Sequence, residues 1–216
     1  MRIQFISKSL IAVLLATQIS ACGILAVGGV AAGASVMADR RTPGVQAIDN
    51  GIEMEANAAL SKKFGDNAHI NVTSFNQKVL LTGEAKDADI KGEAGAYVKA
   101  MKNARTVFNE IVIGPNSTYT ARANDSYLES KIKTQMIFTD KLPSNSMSIV
   151  AEGTSVYLMG ILTQNEADLA KKVASNTNGV KDVYVYFDII SDAEKNRLEK
   201  QGKADESQPN SPPKFQ

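Results

Sequence analysis

Apolar residues recur along the chain with two different spacings, and their order predicts an alternation of helices and strands. Between positions 52 and 64 the spacing is three or four residues, as on one face of a helix: Ile52, Ala56, Ala59, Leu60 and Phe64. Residues 69–74 alternate between apolar and polar, and an apolar run over 79–83 follows the short turn Asn76-Gln77, which predicts a β-hairpin. A helix over 86–101 and a strand over 106–113 complete the series.

The second half of the chain repeats this series after an interruption at Gly114-Pro115-Asn116-Ser117. A helix, two strands, a helix and a strand are predicted over residues 125–138, 147–151, 156–160, 163–177 and 182–190. Val79 and Leu81 recur as Val156 and Leu158, at an offset of 77 residues. The repeat predicts an α+β fold with two tandem domains, over 45–114 and 115–190. Each has the order α-β-β-α-β, with a three-stranded sheet packed on two helices.

Polar residues before three of the predicted helices are candidate N-caps. Asp49 or Asn50 precedes the first helix, and Asn124 or Asp125 begins the first helix of the second half. Thr163-Gln164-Asn165-Glu166 resembles a capping box.

The N-terminus has the layout of a secretion signal. Arg2 and Lys8 precede an apolar run over residues 10–16, which is too short to span a bilayer as a helix. Ile19-Ser20-Ala21-Cys22 follows and resembles the lipobox of bacterial lipoproteins, in which the cysteine thiol takes a diacylglycerol before cleavage. Residues 1–21 are therefore predicted to be a lipoprotein signal peptide, with Cys22, the only cysteine, as the lipidated N-terminus. The alternative is a free thiol after an ordinary signal peptide.

Gly23 bears on the destination of such a lipoprotein. An Asp directly after the lipidated cysteine favours retention in the inner membrane, and here the position holds glycine. This resemblance implies the outer membrane, facing the periplasm. It also implies covalent diacylglycerol and an N-linked acyl chain (palmitate) on Cys22, and no other cofactor.

The segments that flank the two domains are predicted to be irregular. Residues 22–44 are interpreted as the lipidated N-terminus and a flexible linker. Their small-residue part, 23–38, is either a tether or a second membrane contact. Residues 191–216 are interpreted as a charged tail, in which 192–203 extends as a helix and 205–216, with three prolines, is disordered.

The charge of the chain is close to zero after removal of the signal peptide. The chain has 24 basic and 23 acidic residues, and loss of Arg2 and Lys8 leaves 22 against 23, a net charge of −1. This balance does not support bulk electrostatic binding to nucleic acid, so an anionic partner would need a local basic patch.

The residue inventory argues against an enzyme. His69 is the only histidine, it begins a predicted strand, and no cysteine or cluster of acids stands near it in the sequence. Metal sites and nucleophilic sites need more ligands or a base at reach, so we expect neither a catalytic residue nor a metal site. Gly83 and Gly160 are interpreted as positions for a turn with positive φ or a close backbone approach.

One predicted helix carries an outward stripe that is unusual for a solvated surface. Leu128, Ile132 and Met136 form an i, i+4, i+8 ladder that predicts the core face. At 100° per residue a second set falls within an arc of about 60°: Tyr127, Lys131, Thr134 and Phe138.

Three further residues extend this stripe and one opposes it. Lys133 flanks the stripe, Ile137 and Lys141 lengthen it, and the charge of Glu129 is unfavourable for binding an anionic partner. Aromatic side chains beside lysine suit the headgroup boundary of a membrane. The alternative is that Tyr127 and Phe138 pack against the first domain.

The two halves resemble BON domains. The signature of these domains is a strand ending in hydrophobic-x-hydrophobic-x-Gly, a helix, and a Gly-Val-x-x-Val turn into the last strand. The second half has both parts, as Val156-Tyr157-Leu158-Met159-Gly160 and Gly179-Val180-Lys181-Asp182-Val183. The first half keeps residues 79–83 but has Asn103-Ala104 in place of Gly-Val.

A lipobox followed by two such domains is similar to the dual-BON-domain outer-membrane lipoproteins. This resemblance covers about residues 45–190. It implies a non-enzymatic envelope protein that binds anionic phospholipid through its second BON domain, on the helix with the stripe, gathers at the division site and supports envelope integrity. The alternative is an adaptor that docks on the outer-membrane protein assembly machinery or on a peptidoglycan remodelling factor.

Overall fold

The computed structural model describes residues 39–207, with side chains described through residue 201. The predicted signal peptide, Cys22, the linker over 22–38 and the tail over 208–216 lie outside the described residues. Within 39–207, no helix combines the length and the apolar character needed to cross a bilayer.

The first domain places a central strand between an antiparallel and a parallel neighbour. Its elements are α1 (Pro43–Phe64), β1 (Ala68–Phe75), β2 (Lys78–Ala85), α2 (Ala88–Lys99), β3 (Thr106–Asn109) and β4 (Val112–Ile113). β1 pairs antiparallel with β2, and β3 and β4 both pair parallel with β2. The single strand predicted over 106–113 is therefore broken, and Ile111, between the two pieces, is buried in the helix-side core.

The second domain repeats this arrangement. Its elements are α3 (Tyr119–Ile137), β5 (Met147–Glu152), β6 (Ser155–Leu162), α4 (Gln164–Ser175) and β7 (Asp182–Ile189), followed by α5 (Asp192–Ser207). β5 pairs antiparallel and β7 pairs parallel with β6. The predicted α+β fold with two tandem α-β-β-α-β units is confirmed.

Two helices begin well before the predicted positions. α1 is capped by Thr42, whose side chain accepts a hydrogen bond from Val45 N, and α3 is capped by Thr118 in the same way. The predicted caps Asp49, Asn50, Asn124 and Asp125 are therefore wrong and lie inside the helices. Apolar periodicity begins only where a helix starts to be buried, so it misses an exposed first turn. The capping box of Thr163 and Glu166 is confirmed.

Gly83 and Gly160 lie inside the central strands rather than at turns. Gly83 has φ +100°, and a Cβ there would lie 2.0 Å from the carbonyl oxygen of His69. A Cβ at Gly160 would lie 2.9 Å from the carbonyl oxygen of Ser146. The expected close backbone approach is confirmed at both positions.

The two sheets pack against each other and carry their helices on the outside. Successive strand residues point to opposite faces, so Val79 faces the helices of its own domain while Leu80 faces the other domain. The core between the sheets is formed by residues from both domains: Phe75, Leu80, Val150, Tyr157, Met159 and Ile161. The order of layers is helices, sheet, sheet, helices, which explains why the apolar runs of β2 and β6 are continuous.

Polar contacts join the two domains at the rim of this interface. The rings of Phe108 and Tyr186 lie 4.1 Å apart between centroids, and the Tyr186 hydroxyl donates to Glu110 Oε1 at 2.8 Å. The ammonium of Lys78 lies 2.7 Å from Asp188 Oδ1. The interface therefore has an apolar centre and a paired polar edge.

Residues 39–44 are not a flexible linker, which corrects the sequence-based expectation. Arg40 is 4% exposed, and its guanidinium pairs with Glu166 at 2.7 Å and with Glu199 at 2.9 Å. Arg41 pairs with Asp49 of α1 at 2.9 Å, and its guanidinium lies 3.9 Å from the centre of the Phe75 ring. We call these two residues the arginine clasp, because the first binds the second domain and the next binds the first domain.

The segment after β7 is also more ordered than expected. The predicted helix over 192–203 is confirmed, but it continues to Ser207, so the expectation of disorder is wrong for residues 205–207. Leu198 packs against the core between the sheets, and Lys195 Nζ lies 2.8 Å from Glu166 Oε1. α5 is therefore attached to the second domain.

Candidate functional site

α3 has one buried face and one exposed aromatic face. Leu128, Ile132 and Met136 are buried, as the ladder predicts. The side chains of Tyr127 and Phe138 are 69% and 77% exposed. The alternative that these two aromatics pack against the first domain is therefore wrong.

The structure brings the four residues of the predicted stripe onto one surface together with Ile137, and we call this surface the α3 stripe: Tyr127, Lys131, Thr134, Ile137 and Phe138. Lys131 Nζ donates to the carbonyl of Asn178 at 3.0 Å in an exposed hydrogen bond, so water and other ligands can reach it. Ile137 is 40% exposed beside Phe138. Lys141, in the loop after α3, is exposed as well.

Lys133 does not join the α3 stripe. Its ammonium donates to the carbonyl of Ser144, inside the turn that leads into β5. Burial lowers the pKa of Lys133, although the nearby Asp39 raises it. A helical wheel gives the direction of a side chain but not the neighbouring loop that captures its end.

Glu129 is also turned away from the α3 stripe. Its carboxylate accepts a hydrogen bond from Ala151 N of β5 at 2.8 Å. Burial raises the pKa of Glu129, while this hydrogen bond lowers it. The carboxylate of Glu129 is therefore bound within the second domain and does not lie on the α3 stripe.

Tyr119 is an exposed aromatic residue that sequence reasoning missed. It begins α3 and is 88% exposed, and the guanidinium of Arg122 lies 5.4 Å from its ring centre. It precedes Ile137 by 18 residues, which is five whole helical turns, so the two lie on the same side of α3. Thr118 could have indicated that the helix begins at Tyr119, because threonine is a preferred N-cap residue.

A second feature is a cavity of about 440 Å³ between β1 of the first domain and β5 of the second. Acidic and polar side chains line it, together with His69. His69, Glu84 and Glu152 present ligand atoms that all lie within 4.8 Å of one another. No local motif predicts this cluster, because its three residues come from three different strands of two domains.

The electrostatics of this cavity are unfavourable for negative charge. Burial, and then the charges of Glu84 and Asp125, raise the pKa of Glu152 to about 7. Burial and the charge of Arg122 lower the pKa of His69, so its imidazole is neutral at pH 7. The cavity therefore holds crowded carboxylates beside a neutral imidazole.

Comparison with known proteins places both halves in one family. Residues 49–115 and 124–190 each match the model of the BON domain. These ranges coincide with the two structural repeats, from within α1 to β4 and from within α3 to β7.

Curated relatives match most of the chain. The chain is similar to the "Outer membrane lipoprotein DolP" of Haemophilus influenzae, at 31% identity over 83% of this chain and 95% of that protein. It is also similar to the "21 kDa hemolysin" of Actinobacillus pleuropneumoniae, at 29% identity over 70% of this chain and 79% of that protein.

A solved structure of CdsD, a structural protein of the type III secretion system of Chlamydia trachomatis, covers 69% of this chain. The aligned part is 68% of that structure, at 15% identity with a TM-score of 0.27.

Proposed function

The chain belongs to the BON-domain family, with two BON domains in tandem, and from this premise we propose that it is a non-enzymatic outer-membrane lipoprotein that binds anionic phospholipid. In this proposal, acyl chains on Cys22 hold the protein at the periplasmic face of the outer membrane. The second BON domain then makes a further contact through the α3 stripe. This contact recruits the protein to the division site and supports envelope integrity.

The observation that supports the lipid contact most directly is the exposure of Tyr127 and Phe138 on either side of Lys131. Aromatic rings favour the boundary between headgroups and acyl chains, and an ammonium can meet a phosphate there. Full burial of a large apolar side chain contributes roughly 1.5–3 kcal/mol, and a basic residue near an anionic surface contributes about 1 kcal/mol.

These contributions give a weak contact that becomes useful at a membrane. A protein already held by acyl chains meets the lipid surface at a high effective concentration, so the contact of α3 is intramolecular in effect. The acyl chains on Cys22 then keep the protein on a membrane, and the α3 stripe determines where on that membrane it gathers.

Replacing Tyr127 or Phe138 with glutamate is expected to weaken binding to anionic vesicles about tenfold or more, because each change removes an apolar contact and adds a repelled charge. Lys131→Glu is expected to act in the same direction. Residues 23–216, prepared without acyl chains, are sedimented with phosphatidylglycerol vesicles and with phosphatidylcholine vesicles.

Met54→Glu is the matched control, because Met54 is 75% exposed on α1 of the first domain. It should bind as the unaltered chain does, and all variants should keep the same thermal midpoint. Unchanged vesicle binding by Tyr127→Glu and Phe138→Glu would contradict the proposal for the α3 stripe.

Cys22→Ala is expected to remove the protein from the outer membrane, because the acyl chains are lost and the α3 contact alone is weak. The measurement is the distribution of the protein among the outer-membrane, inner-membrane and soluble periplasmic fractions. Retention of the variant in the outer membrane at the original level would argue against the lipidated cysteine.

The second candidate function is a protein adaptor for outer-membrane protein assembly or peptidoglycan remodelling, and β7 is the observation that favours it. This strand is an edge of its sheet, and three of its large side chains are 40–52% exposed: Tyr184, Val185 and Ile189. An exposed edge strand can accept a strand from a partner. Partner co-purification that survives Tyr127→Glu and is lost in Val185→Lys would favour this function.

A further inference from the structure

His69, Glu84 and Glu152 lie where the faces of the two sheets meet. His69 and Glu84 are opposite each other on β1 and β2, and Glu152 ends β5 of the second domain. His69 Nδ1 lies 3.5 Å from Glu84 Oε2, and the side chains of these two residues are 21% and 16% exposed. The ligand atoms of all three residues lie within 4.8 Å of one another, a spacing that a single cation can bridge with small side-chain movements.

Two buried polar atoms at this place make no hydrogen bond of normal geometry. Among residues 39–207, these are His69 Nδ1, which has only the 3.5 Å contact with Glu84 Oε2, and Thr82 Oγ1. Thr82 is 1% exposed, and its hydroxyl lies close enough to Glu152 to lower the pKa of that carboxyl. Buried polar atoms are almost always paired in proteins, so atoms without a well-formed hydrogen bond beside a carboxylate cluster are candidates for binding a ligand.

The charges around the cluster indicate that such a ligand is positively charged. Three carboxylates influence one another here, those of Glu84, Asp125 and Glu152, and Arg122 is the neighbouring cation that acts on His69. Arg122 itself donates to the carbonyl oxygen and the hydroxyl of Ser117. Crowded carboxylates with one guanidinium at the edge favour a cation between them.

We propose that His69, Glu84 and Glu152 bind a divalent transition-metal cation of the Zn²⁺ or Mn²⁺ class, which ties the first BON domain to the second. A neutral imidazole nitrogen and two carboxylate oxygens supply three ligands, and the cavity of about 440 Å³ admits water to the remaining positions. Imidazole selects these metals over Mg²⁺ and Ca²⁺, which prefer oxygen ligands alone.

The cation adds a further link between the two domains at this end of the interface. The apolar centre and the contacts of Tyr186 and Lys78 hold other parts of the interface. At the His69 end, like charges from the two domains face each other instead. Metal binding therefore stabilises the paired domains against separation, and this role is independent of lipid binding.

The test uses the whole lipidated chain in a non-ionic detergent, without a histidine tag, after treatment with EDTA. Zn²⁺ at about 100 times its Kd is expected to raise the thermal midpoint by roughly 5–10 °C, whereas Mg²⁺ at the same concentration leaves it unchanged. Since His69 is the only histidine, its ring resonances report the site directly in NMR spectra. One equivalent of Zn²⁺ should shift them.

Glu152→Gln and Glu110→Gln form a matched pair, because both glutamates lie at the domain interface and only Glu152 belongs to the cluster. In EDTA, Glu152→Gln should have a thermal midpoint equal to or higher than that of the unaltered chain, since one repelled charge is removed. Zn²⁺ should not raise the thermal midpoint of this variant. Glu110→Gln should keep that increase. Unmoved ring resonances in the unaltered chain, or an equal Zn²⁺ effect in Glu152→Gln, would overturn the proposal.

Discussion

Replacing Asp49 with alanine is expected to lower the free energy of unfolding by about 3–5 kcal/mol, since it leaves buried donors without a partner and removes one of the two carboxylates that pair with Arg41. Asp49 is 1% exposed in the N-terminal half of α1. Its Oδ1 accepts from the Ser74 hydroxyl at 2.8 Å and from Gln77 N at 2.7 Å. Its Oδ2 accepts from Asn76 N at 2.8 Å and from the guanidinium of Arg41 at 2.9 Å.

The backbone that Asp49 holds makes this loss larger than that of an ordinary hydrogen bond. Asn76 and Gln77 have φ of 54° and 63°, the left-handed pair that a two-residue hairpin turn requires. Glutamine has no special preference for that region, so hydrogen bonds from outside the turn stabilise it. Asp49 thus fixes the register of β1 and β2 from the neighbouring helix.

Urea unfolding followed by circular dichroism measures this effect. Asp49→Asn keeps the shape of the side chain and removes its charge, so it should fall between alanine and the unaltered chain. Asp66→Ala is the control, because Asp66 is exposed in the turn after α1. A loss below about 1 kcal/mol for Asp49→Ala would show that the turn does not depend on this carboxylate.

Replacing Arg40 with methionine is expected to destabilise the chain by about 3–5 kcal/mol, because Glu166 would keep its charge in a buried site with its closest partner removed. Arg40 Nη1 lies 2.7 Å from Glu166 Oε2, and Nη2 lies 2.9 Å from Glu199 Oε1. Methionine preserves much of the volume of the arginine stem. The stability change therefore reports the charge rather than a cavity.

The pH dependence of this effect follows from Glu166. Burial alone would raise the pKa of Glu166, but hydrogen bonds from Arg40, Lys195 and the Thr163 backbone outweigh it and hold the pKa at about 2. A carboxyl whose pKa is lower in the folded state stabilises the fold above its unfolded pKa, near 4.5. That stabilisation is lost as the pH falls from about 4.5 to about 2.

The difference in free energy of unfolding between the unaltered chain and Arg40→Met should accordingly be largest at pH 7 and decrease steadily below pH 4.5. Urea unfolding at a series of pH values measures it. Arg197→Met is the control, since Arg197 forms an exposed pair with Glu194 on α5, and no measurable change is expected. A difference in free energy of unfolding that stays constant down to pH 2.5 would show that Arg40 does not act through the charge of Glu166.

Local periodicity was sufficient to predict the repeated α-β-β-α-β order. It failed where a residue's role depends on a distant partner. The small and polar neighbours of Arg40 predict a linker, while its main partner, Glu166, lies 126 positions away in the sequence. Nothing in a local pattern distinguishes a solvated arginine from a buried one.

The candidate sites also divide into those that local spacing predicts and those that depend on distant partners. The helical period was enough to place Tyr127 and Phe138 outward and Met136 inward, because the direction of a helical side chain depends on spacing alone. It misplaced the end of Lys133, which depends on the turn at Ser144. The cluster around His69 was missed altogether, because it exists only once the two sheets have been brought face to face.

The position of Arg40 also decides how the molecule responds to force. A pull on the chain before residue 39 reaches the bonds of Arg40 to Glu166 and Glu199 before it reaches α1. The second domain and α5 therefore bear the load first, although the first domain comes next in the sequence. Tension on the N-terminal segment is resisted by the ion pairs of Arg40, and it reaches the first domain only after those ion pairs break.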